Sequence, residues 1–279
     1  MRKIDIEQIS SAVRDAVIDI NHRLPASFVK RLEMAKASET GQRAKSVLKD
    51  LVDNQRIASE GIYPLCQDTG VVVVFADIGH NVFIDGDFEA AVNAGVREAT
   101  LKGHLRPSVV NHPFNRVNTK DNTPAIIHQK RIAGDTLKLR IAAKGAGSEN
   151  MSALKMLKPS DGLEGVKTFV VETVRSAGGR PCPPITLGIG IGGTMEKCAL
   201  LAKEALFKAL DEPHPDERLA RFEEELLEAV NDLSIGPMGI GGKTTCLAVK
   251  INDFPMHMAA LPVAVNIQCH ASRHTEVVL

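Results

Sequence analysis

The chain has 279 residues and carries 34 Lys and Arg against 34 Asp and Glu, which gives a formal net charge of zero. This balance excludes the basic surface with which proteins bind nucleic acid or anionic membranes, and no apolar run approaches the roughly 20 residues that span a bilayer. The acidic start of the chain argues against a signal peptide. With five cysteines, an odd number, and no export signal, we expect a cytoplasmic protein whose thiols are free.

The first half of the sequence combines helices with strands. Apolar residues recur at helical spacing near the N-terminus, whereas the run VVVVF is β-branched throughout and indicates a strand buried on both faces. Two short apolar runs flank an Ala-Gly-Asp turn and predict a β-hairpin. The predicted elements are helices at about 6–20, 27–59 and 88–102, a strand at 71–75, and a hairpin with strands at 124–128 and 137–141.

The second half mixes the same two kinds of element. Its predicted elements are helices at 161–177, 194–210 and about 217–233, and strands at 185–191, 244–251 and 261–269. Because helices and strands do not alternate strictly, we predict an α+β fold, with a helical N-terminal region followed by mixed sheets with packed helices. We expect one domain over 1–279, or two intimate subdomains of roughly 1–150 and 151–279.

Three glycine-rich motifs invite a ligand-binding interpretation. Residues 188–193 fit G-x-G-x-x-G after a predicted strand, but the acidic residue that a dinucleotide site needs about 20 residues later is absent, so close backbone packing is the better interpretation. Residues 236–244 resemble a phosphate-binding loop, but Pro237 breaks the pattern and a strand follows instead of a helix. The turn at 145–150 is either a plain exit from the hairpin or a nest of amides for a carboxylate.

The cysteines point to a metal centre. Cys66 and Cys182 lie on turns stiffened by proline, and the first is followed by an amide, a carboxylate and a hydroxyl. No C-x-x-C pair exists, whereas three widely spaced thiolates suit an iron–sulfur cluster with one iron left open. Cys269 precedes a basic loop, which favours the thiolate and makes it the third candidate ligand. Cys198 is expected in a core, Cys246 is a weaker candidate ligand, and the alternative is that all five are buried free thiols.

Four motifs, taken together, resemble one family. They are PLCQDTG at 64–70, KGAGSEN at 144–150, PCPPITLGIGIGG at 181–193 and IGPMGIGG at 235–242. In this order they are similar to the α subunit of two-subunit class I fumarases and L-tartrate dehydratases, which are oxygen-sensitive hydro-lyases with a 4Fe-4S cluster.

The resemblance implies the ligands and the partner. It implies that Cys66, Cys182 and Cys269 bind the cluster. In single-chain relatives the third ligand lies in an Arg-His-Gly-Ala-Ser-Cys context, and the best-matching stretch here, 256–261, has no cysteine. Cys269 instead matches the two-subunit pattern, because Arg273 and His274 follow it. The resemblance also implies a separate β subunit in an α2β2 assembly, without which this chain should be nearly inactive.

The expected reaction is the reversible hydration of fumarate to malate, with the open iron acting as a Lewis acid. The resemblance implies that Gln67 and Asp68 position the substrate and handle protons, although Asp68 could instead cap an Asx turn at Thr69-Gly70. Arg106, on a proline-stiffened loop, suits a substrate carboxylate, and Gly147 is a candidate for backbone contact with the substrate. Two further candidates for the site are Lys243 and His257.

Three alternative functions remain at this point. The first is an L-tartrate dehydratase α subunit, although residues 118–124 and 148–150 look more like the fumarase branch. The second, from another class, is a non-catalytic iron–sulfur binding or sensor subunit, which has no evident need for Gln67, Asp68 or Arg106. The third is a nucleotide-dependent oxidoreductase built on 188–193, which would require NAD binding that we do not expect.

Overall fold

The computed structural model describes all residues, 1–279, and confirms the α+β class. In chain order, the elements of the first half are β1 (Arg2–Asp5), α1 (Ile6–His22), α2 (Ala26–Ser38), α3 (Gln42–Ser59), β2 (Val71–Gly79), β3 (Val82–Asp85), α4 (Phe88–Lys102), β4 (Ile126–Ile132) and β5 (Leu137–Lys144). Those of the second half are α5 (Ala146–Glu149), β6 (Ala153–Leu157), α6 (Gly162–Ala177), β7 (Ile185–Gly192), α7 (Met195–Ala205), α8 (Glu217–Asn231), β8 (Cys246–Phe254), β9 (Leu261–Gln268) and β10 (His274–Val278).

The residues form two compact units, each built from separate segments of the chain. The first unit comprises residues 1–25, 55–146 and 273–279, and the second comprises 26–54 and 147–272. Each unit has its own four-stranded sheet and its own apolar core. No helix in the structure is both long enough and apolar enough to cross a membrane.

The first unit is organised around β2, the strand predicted from its valine run. The strand order is β10-β5-β2-β4, in which β2 runs parallel to β4 and antiparallel to β5. Helices α1 and α4 bury their apolar faces in the same core as the inward side chains of β2 and β5. A smaller parallel pair, β1 with β3, completes the unit.

The predicted hairpin between β4 and β5 is wrong. The two strands do not pair with each other, because β2 lies between them and pairs with both. The connecting turn instead wraps the end of β2, where the N–H groups of Gly79 and Asn81 donate to the carbonyls of Thr136 and Gly134. A strand as apolar as β2 buries most surface at the centre of a sheet, so this distant pairing replaces the local one.

The second unit is organised around β7, in the order β6-β9-β7-β8. Helices α6 and α8 share an apolar core with this sheet. Gly188 and Gly190 let the backbone of α7 approach β7, because a Cβ on them would lie 2.1 Å from the Ala202 carbonyl oxygen and 2.0 Å from the Cys198 carbonyl oxygen. The glycines at 188–193 therefore serve close packing, as the sequence indicated.

Several predicted boundaries differ from the structure. The helix predicted over 27–59 is two helices, α2 and α3, because the Glu39 carboxylate accepts the N–H groups of Thr40 and Gly41 and ends the first helix. The helix predicted over 194–210 ends at Ala205 in irregular turns. Four strands were not predicted from the sequence, which are β1, β3, β6 and β10. Each has four or five residues, too few for a clear alternating pattern.

Candidate functional site

The loop that leads into β2, residues 64–70, is held at both ends. Leu65 N–H donates to the Asn21 carbonyl oxygen at 2.7 Å, which fixes the residue before Cys66. Gly70 has φ +71°, and a Cβ there would lie 2.5 Å from the Lys144 carbonyl oxygen, so only glycine fits. The half-buried Cys66 is therefore carried by a loop whose two ends are both fixed.

Asp68 organises this loop from within. Its N–H points at Cys66 Sγ at 3.4 Å, its Oδ1 accepts the Gly70 N–H at 3.0 Å, and its Oδ2 accepts the Ala146 N–H at 3.0 Å. The Asx-turn interpretation of Asp68 is thus confirmed, and the second oxygen extends it to the end of β5. The neighbouring Gln67 side chain is exposed, next to this fixed carboxylate.

Arg106 joins the same loop through Thr69. The buried Thr69 hydroxyl donates to the Arg106 carbonyl oxygen. Asn122, which is also buried, donates to that carbonyl at 3.2 Å and accepts the Ser108 N–H with its Oδ1. Arg106 itself is exposed, so its guanidinium projects from a backbone that is fixed to the Cys66 loop. Within the first unit, the structure brings together Cys66, Gln67, Asp68 and Arg106.

The second unit holds Cys182 in an unusual backbone conformation. Cys182 has φ +55°, a region that residues with side chains rarely adopt outside tight turns and functional sites. Its carbonyl oxygen accepts the His270 N–H at 3.3 Å and lies 3.1 Å from His270 Nδ1. Cys269 immediately precedes His270, and its thiol is within 3.7 Å of the Ala271 carbonyl oxygen. The loops that carry Cys182 and Cys269 are therefore joined.

Gly147 lies beside the Cys182 loop. A Cβ on Gly147 would have only one neighbour within 4 Å, the Arg180 carbonyl oxygen at 3.8 Å. Cys182 Sγ lies 4.0 Å from that same oxygen. Within the second unit, the structure thus brings together Gly147, Cys182 and Cys269, with an open approach to the Gly147 backbone.

The two remaining cysteines belong to the core. Cys198 lies on α7 and Cys246 on β8, and both are buried. Burial raises the pKa of the Cys198 thiol and raises that of Cys246 to about 12. The expectation that Cys198 fills a core is confirmed, and Cys246 is equally unsuited to form a thiolate ligand.

Lys243 and His257 make no hydrogen bond with the candidate site residues of either unit that the structure brings together. The Lys243 N–H donates to Glu39 Oε2 at 2.8 Å and its Nζ lies 3.4 Å from the Ser38 carbonyl oxygen, so it anchors the glycine-rich loop to the end of α2. His257 is exposed and accepts the Ala259 N–H at its Nδ1. These contacts give both residues local structural roles.

The three loop cysteines carry the thiol ligands that iron–sulfur clusters use. No group of three His, Cys, Asp or Glu side chains forms a ready-made site for one metal ion. All five cysteines are free thiols, and the three outside the cores, Cys66, Cys182 and Cys269, lie on loops. Sulfur ligands on loops, with a backbone N–H directed at one of them, are typical of the way in which proteins hold such clusters.

Three buried residues around these loops were missed by the sequence analysis. They are Asn21, Asn122 and Arg273, with exposures of 1%, 3% and 2%. Asn21 and Arg273 are bonded to each other, Nη1 to Oδ1, at 2.9 Å. The available signal was a polar residue at a buried helical position, since Asn21 directly follows the apolar stripe of α1.

Comparison with known proteins agrees with the motifs. The family model described as "Fumarate hydratase (Fumerase)" matches residues 10–278. A protein of Methanocaldococcus jannaschii, provisionally named L(+)-tartrate dehydratase subunit alpha, is 45% identical over 272 residues, which cover 94% of this chain and 95% of that protein. The L(+)-tartrate dehydratase subunits alpha of Escherichia coli O157:H7 and K12 are 31% and 30% identical, covering 96% of this chain and 89% of each relative. The chain therefore belongs to the fumarate hydratase family, as its four motifs indicated.

Proposed function

We propose that this chain is the α subunit of a hydro-lyase that adds water to, or removes it from, a four-carbon dicarboxylate. The observation that carries the proposal is the Cys66 loop, in which a thiol, an exposed amide and a fixed carboxylate are consecutive residues. A sensor subunit would need the thiol alone. An enzyme needs acid–base and hydrogen-bonding groups beside it.

Cys66, Cys182 and Cys269 are the proposed ligands of a 4Fe-4S cluster. Three protein thiolates leave one iron without a protein ligand, and that iron supplies Lewis-acid chemistry for a substrate hydroxyl. The two other cysteines are excluded by burial and by their raised pKa values. The five free thiols also fit a reducing compartment, so we place the protein in the cytoplasm.

Gln67 and Asp68 act on the reacting part of the substrate. Dehydration breaks a carbon–oxygen bond and removes a proton from the neighbouring carbon. Each Asp68 oxygen accepts one backbone N–H and keeps further acceptor capacity. In the hydration direction the carboxylate can therefore accept the proton that the attacking water loses, and in dehydration it returns this proton to the departing hydroxyl, which leaves as water. The exposed Gln67 amide can donate to a substrate oxygen and accept from a hydroxyl.

Arg106 and Gly147 bind the rest of the substrate. The Arg106 guanidinium matches a carboxylate in shape and charge, and the bonds from Thr69 and Asn122 to its carbonyl oxygen fix where it begins. Gly147 contributes backbone, since the space beside its Cα is open. Both residues bind rather than react, so their loss should raise KM more than it lowers kcat.

Fumarate and L-tartrate are the two candidate substrates. The family model carries the name fumarate hydratase, whereas the relatives are named L(+)-tartrate dehydratase. Malate and tartrate share a hydroxyl next to a carboxylate and differ by one hydroxyl group. The chain's own residues recognise the shared part, so we propose that the second subunit contributes to the discrimination. By analogy with the subunit names of the relatives, that partner is a β subunit, in an α2β2 assembly.

The test is an anaerobic activity assay of the chain with its partner subunit. The chain is loaded with iron and sulfide, mixed with its β subunit, and given fumarate, L-malate and L-tartrate in parallel. Water addition or loss with any of the three supports the proposal, and the ratio of kcat/KM values ranks the substrates. A loaded complex that turns over none of them would overturn it. Cys246→Ser is the matched control, expected to keep activity, while Cys182→Ser loses it.

A further inference from the structure

Arg273 is a buried cation whose guanidinium donates to the amide side chain of Asn21. The residue is 2% exposed, its Nη1 donates to Asn21 Oδ1 at 2.9 Å, and its Nε is buried without a hydrogen-bond acceptor. Burying a guanidinium in this state costs folding free energy. Its presence therefore calls for a benefit other than stability.

The position of Arg273 indicates what that benefit is. A Cβ on Gly145 would lie 3.1 Å from Asp68 Oδ2 and 3.5 Å from Arg273 Nη2, so the carboxylate and the guanidinium both border the space beside this glycine. The Arg273 carbonyl oxygen also accepts the Ala143 N–H at 3.0 Å, which aligns the residue with the end of β5. The guanidinium is thus held beside the turn that bonds Asp68.

Asn21 links Arg273 to the other end of the loop. Its side chain accepts from Arg273 and donates to the Val17 carbonyl oxygen at 2.8 Å, while its own carbonyl accepts the Leu65 N–H at 2.7 Å. Asn21 therefore bonds the start of the loop at Leu65, and the guanidinium that it accepts from borders the space beside Gly145.

We propose that Arg273 is a positioning residue for the hydro-lyase reaction, which together with Asn21 fixes the loop that carries Cys66, Gln67 and Asp68. The inference rests on the proposed function for its catalytic consequence, but not for its structural part. Asp68 keeps its two backbone hydrogen bonds without the guanidinium, but the charged group beside Gly145 and the donor to the Asn21 side chain are both lost. The loop then samples other conformations.

The test compares Arg273→Met with Arg140→Met in the full metal-free chain. Arg140 is a matched control because it lies on β5, is partly buried, and pairs with Asp77 at 3.4 Å away from the loop. Hydrogen exchange in peptides covering 64–70 and 143–147 should speed up about tenfold in Arg273→Met, through local opening. The Tm should change little, because removal of the buried guanidinium relieves its desolvation cost but leaves the buried Asn21 Oδ1 without its donor. Arg140→Met should lower Tm and leave these peptides protected.

Activity of the loaded complex gives the second readout. Arg273→Met should lower kcat roughly 100-fold with little change in KM, as misplacement of reacting groups does. The kcat of Arg273→Lys, which keeps the charge, should fall between those of wild type and Arg273→Met. Unchanged exchange in the two peptides, or a lower Tm with faster exchange throughout the chain, would overturn the inference. A wild-type complex that is inactive on all three substrates would overturn the proposed function, while the exchange comparison would still decide the role of Arg273.

Discussion

The four-stranded sheets of the two units have the same arrangement of strands. In each sheet a central strand has one parallel and one antiparallel neighbour, and along the chain the parallel neighbour comes first. In the first unit β2 is parallel to β4 and antiparallel to β5. In the second unit β7 is parallel to β8 and antiparallel to β9. Cys66 lies in the loop before β2 and Cys182 in the loop before β7. The proposed ligands therefore occupy matching places in two topologically similar sheets.

Antiparallel pairing explains which loops meet. The first residue of β2 pairs with the last of β5, Val71 with Lys144, and near the start of β7 Thr186 pairs with Gln268. The loop before the central strand must then lie beside the residues after its antiparallel neighbour. In the first unit these residues reach Asp68, and in the second they include Cys269.

The units differ in how the loop is braced. In the first unit a side chain does it, since the Asp68 carboxylate bonds Gly70 and Ala146. In the second unit the backbone does it, since the Cys182 carbonyl oxygen accepts the His270 N–H. The bonds made by Asp68 place a carboxylate beside the Cys66 thiol, whereas the bond made by the Cys182 carbonyl oxygen brings no carboxylate to the Cys182 thiol. Under the proposed function, acid–base work would therefore fall to the first unit, while the second would contribute cluster ligands and the Gly147 backbone.

The largest expected effect concerns the cysteines that do not belong to these loops. In the metal-free chain at pH 8, iodoacetamide should modify Cys246 at least about 1,000-fold more slowly than Cys182, because the thiolate is the nucleophile. The pKa of Cys246 is raised to about 12 by burial, whereas Cys182 is exposed. Peptide mass spectrometry over time measures both rates. Equal modification rates would contradict the distinction between the buried thiol of Cys246 and the exposed thiol of Cys182.

The next largest effect is expected from changing Asp68, whose carboxylate holds the loop of the first unit. Asp68→Asn keeps an acceptor for the Gly70 N–H but removes the negative charge, so kcat should fall roughly 100-fold or more. Steady-state kinetics of the loaded complex measures it. Asp87→Asn is the control, because Asp87 only caps α4 through the Ala90 N–H at 3.0 Å. Full activity in Asp68→Asn would remove the functional contrast between the units.

The third effect concerns the sheet of the second unit. Gly190→Ala would place a methyl group 2.0 Å from the Cys198 carbonyl oxygen, so α7 must shift away from β7. We expect a loss of about 3 kcal/mol in the free energy of unfolding, from overpacking. Urea unfolding compares it with Gly41→Ala, where a Cβ meets nothing closer than 3.4 Å. Equal stability of the two variants would contradict the packing role of the glycine.

The smallest effect concerns the buried Glu39. Burial alone would raise its pKa, but the N–H groups of Gly41, Lys243 and Thr40 outweigh burial and lower it. Glu39→Gln should cost about 2 kcal/mol at pH 7, because a charged acceptor is replaced. A lowered pKa means that this contribution is complete above the ordinary value of 4.5 and is lost as the pH falls below it.

Unfolding curves of wild type and Glu39→Gln at pH 7 and pH 4 measure how much stability the substitution costs and how that cost depends on pH. The exposed Glu33, which pairs with Lys36 on the surface of α2, provides the control, and Glu33→Gln should change stability by less than about 0.5 kcal/mol. A Glu39→Gln effect that grows on acidification would have the wrong sign.

The sequence predicted what depends on local chemistry. The valine run of β2, the helix at 88–102 and the α+β class follow from local composition and periodicity, and the motif resemblance identified the family. The Asx turn at Asp68 was anticipated as one of two interpretations, because the side chain and its Gly70 partner are two residues apart.

What the sequence did not predict depends on distant partners. The hairpin was wrong because β2 comes between β4 and β5, and nothing local to those strands encodes it. The matching topology of the two sheets was equally hidden, since the units share no repeat in their residues. Arg273 and Asn21 are separated by 252 positions, so neither residue predicts the other. The bond between the Lys243 N–H and Glu39 was equally hidden, because the two residues are 204 positions apart.

The most direct test of the account is cluster formation by cysteine variants. Wild type, Cys66→Ser, Cys182→Ser, Cys269→Ser and Cys246→Ser are reconstituted anaerobically with iron and sulfide, mildly oxidised, and examined by electron paramagnetic resonance with iron counting. We expect a 3Fe-4S signal, from loss of one labile iron, in wild type and Cys246→Ser, and none in the three loop variants. A signal that survives Cys66→Ser or Cys182→Ser, or no cluster in wild type, would contradict it.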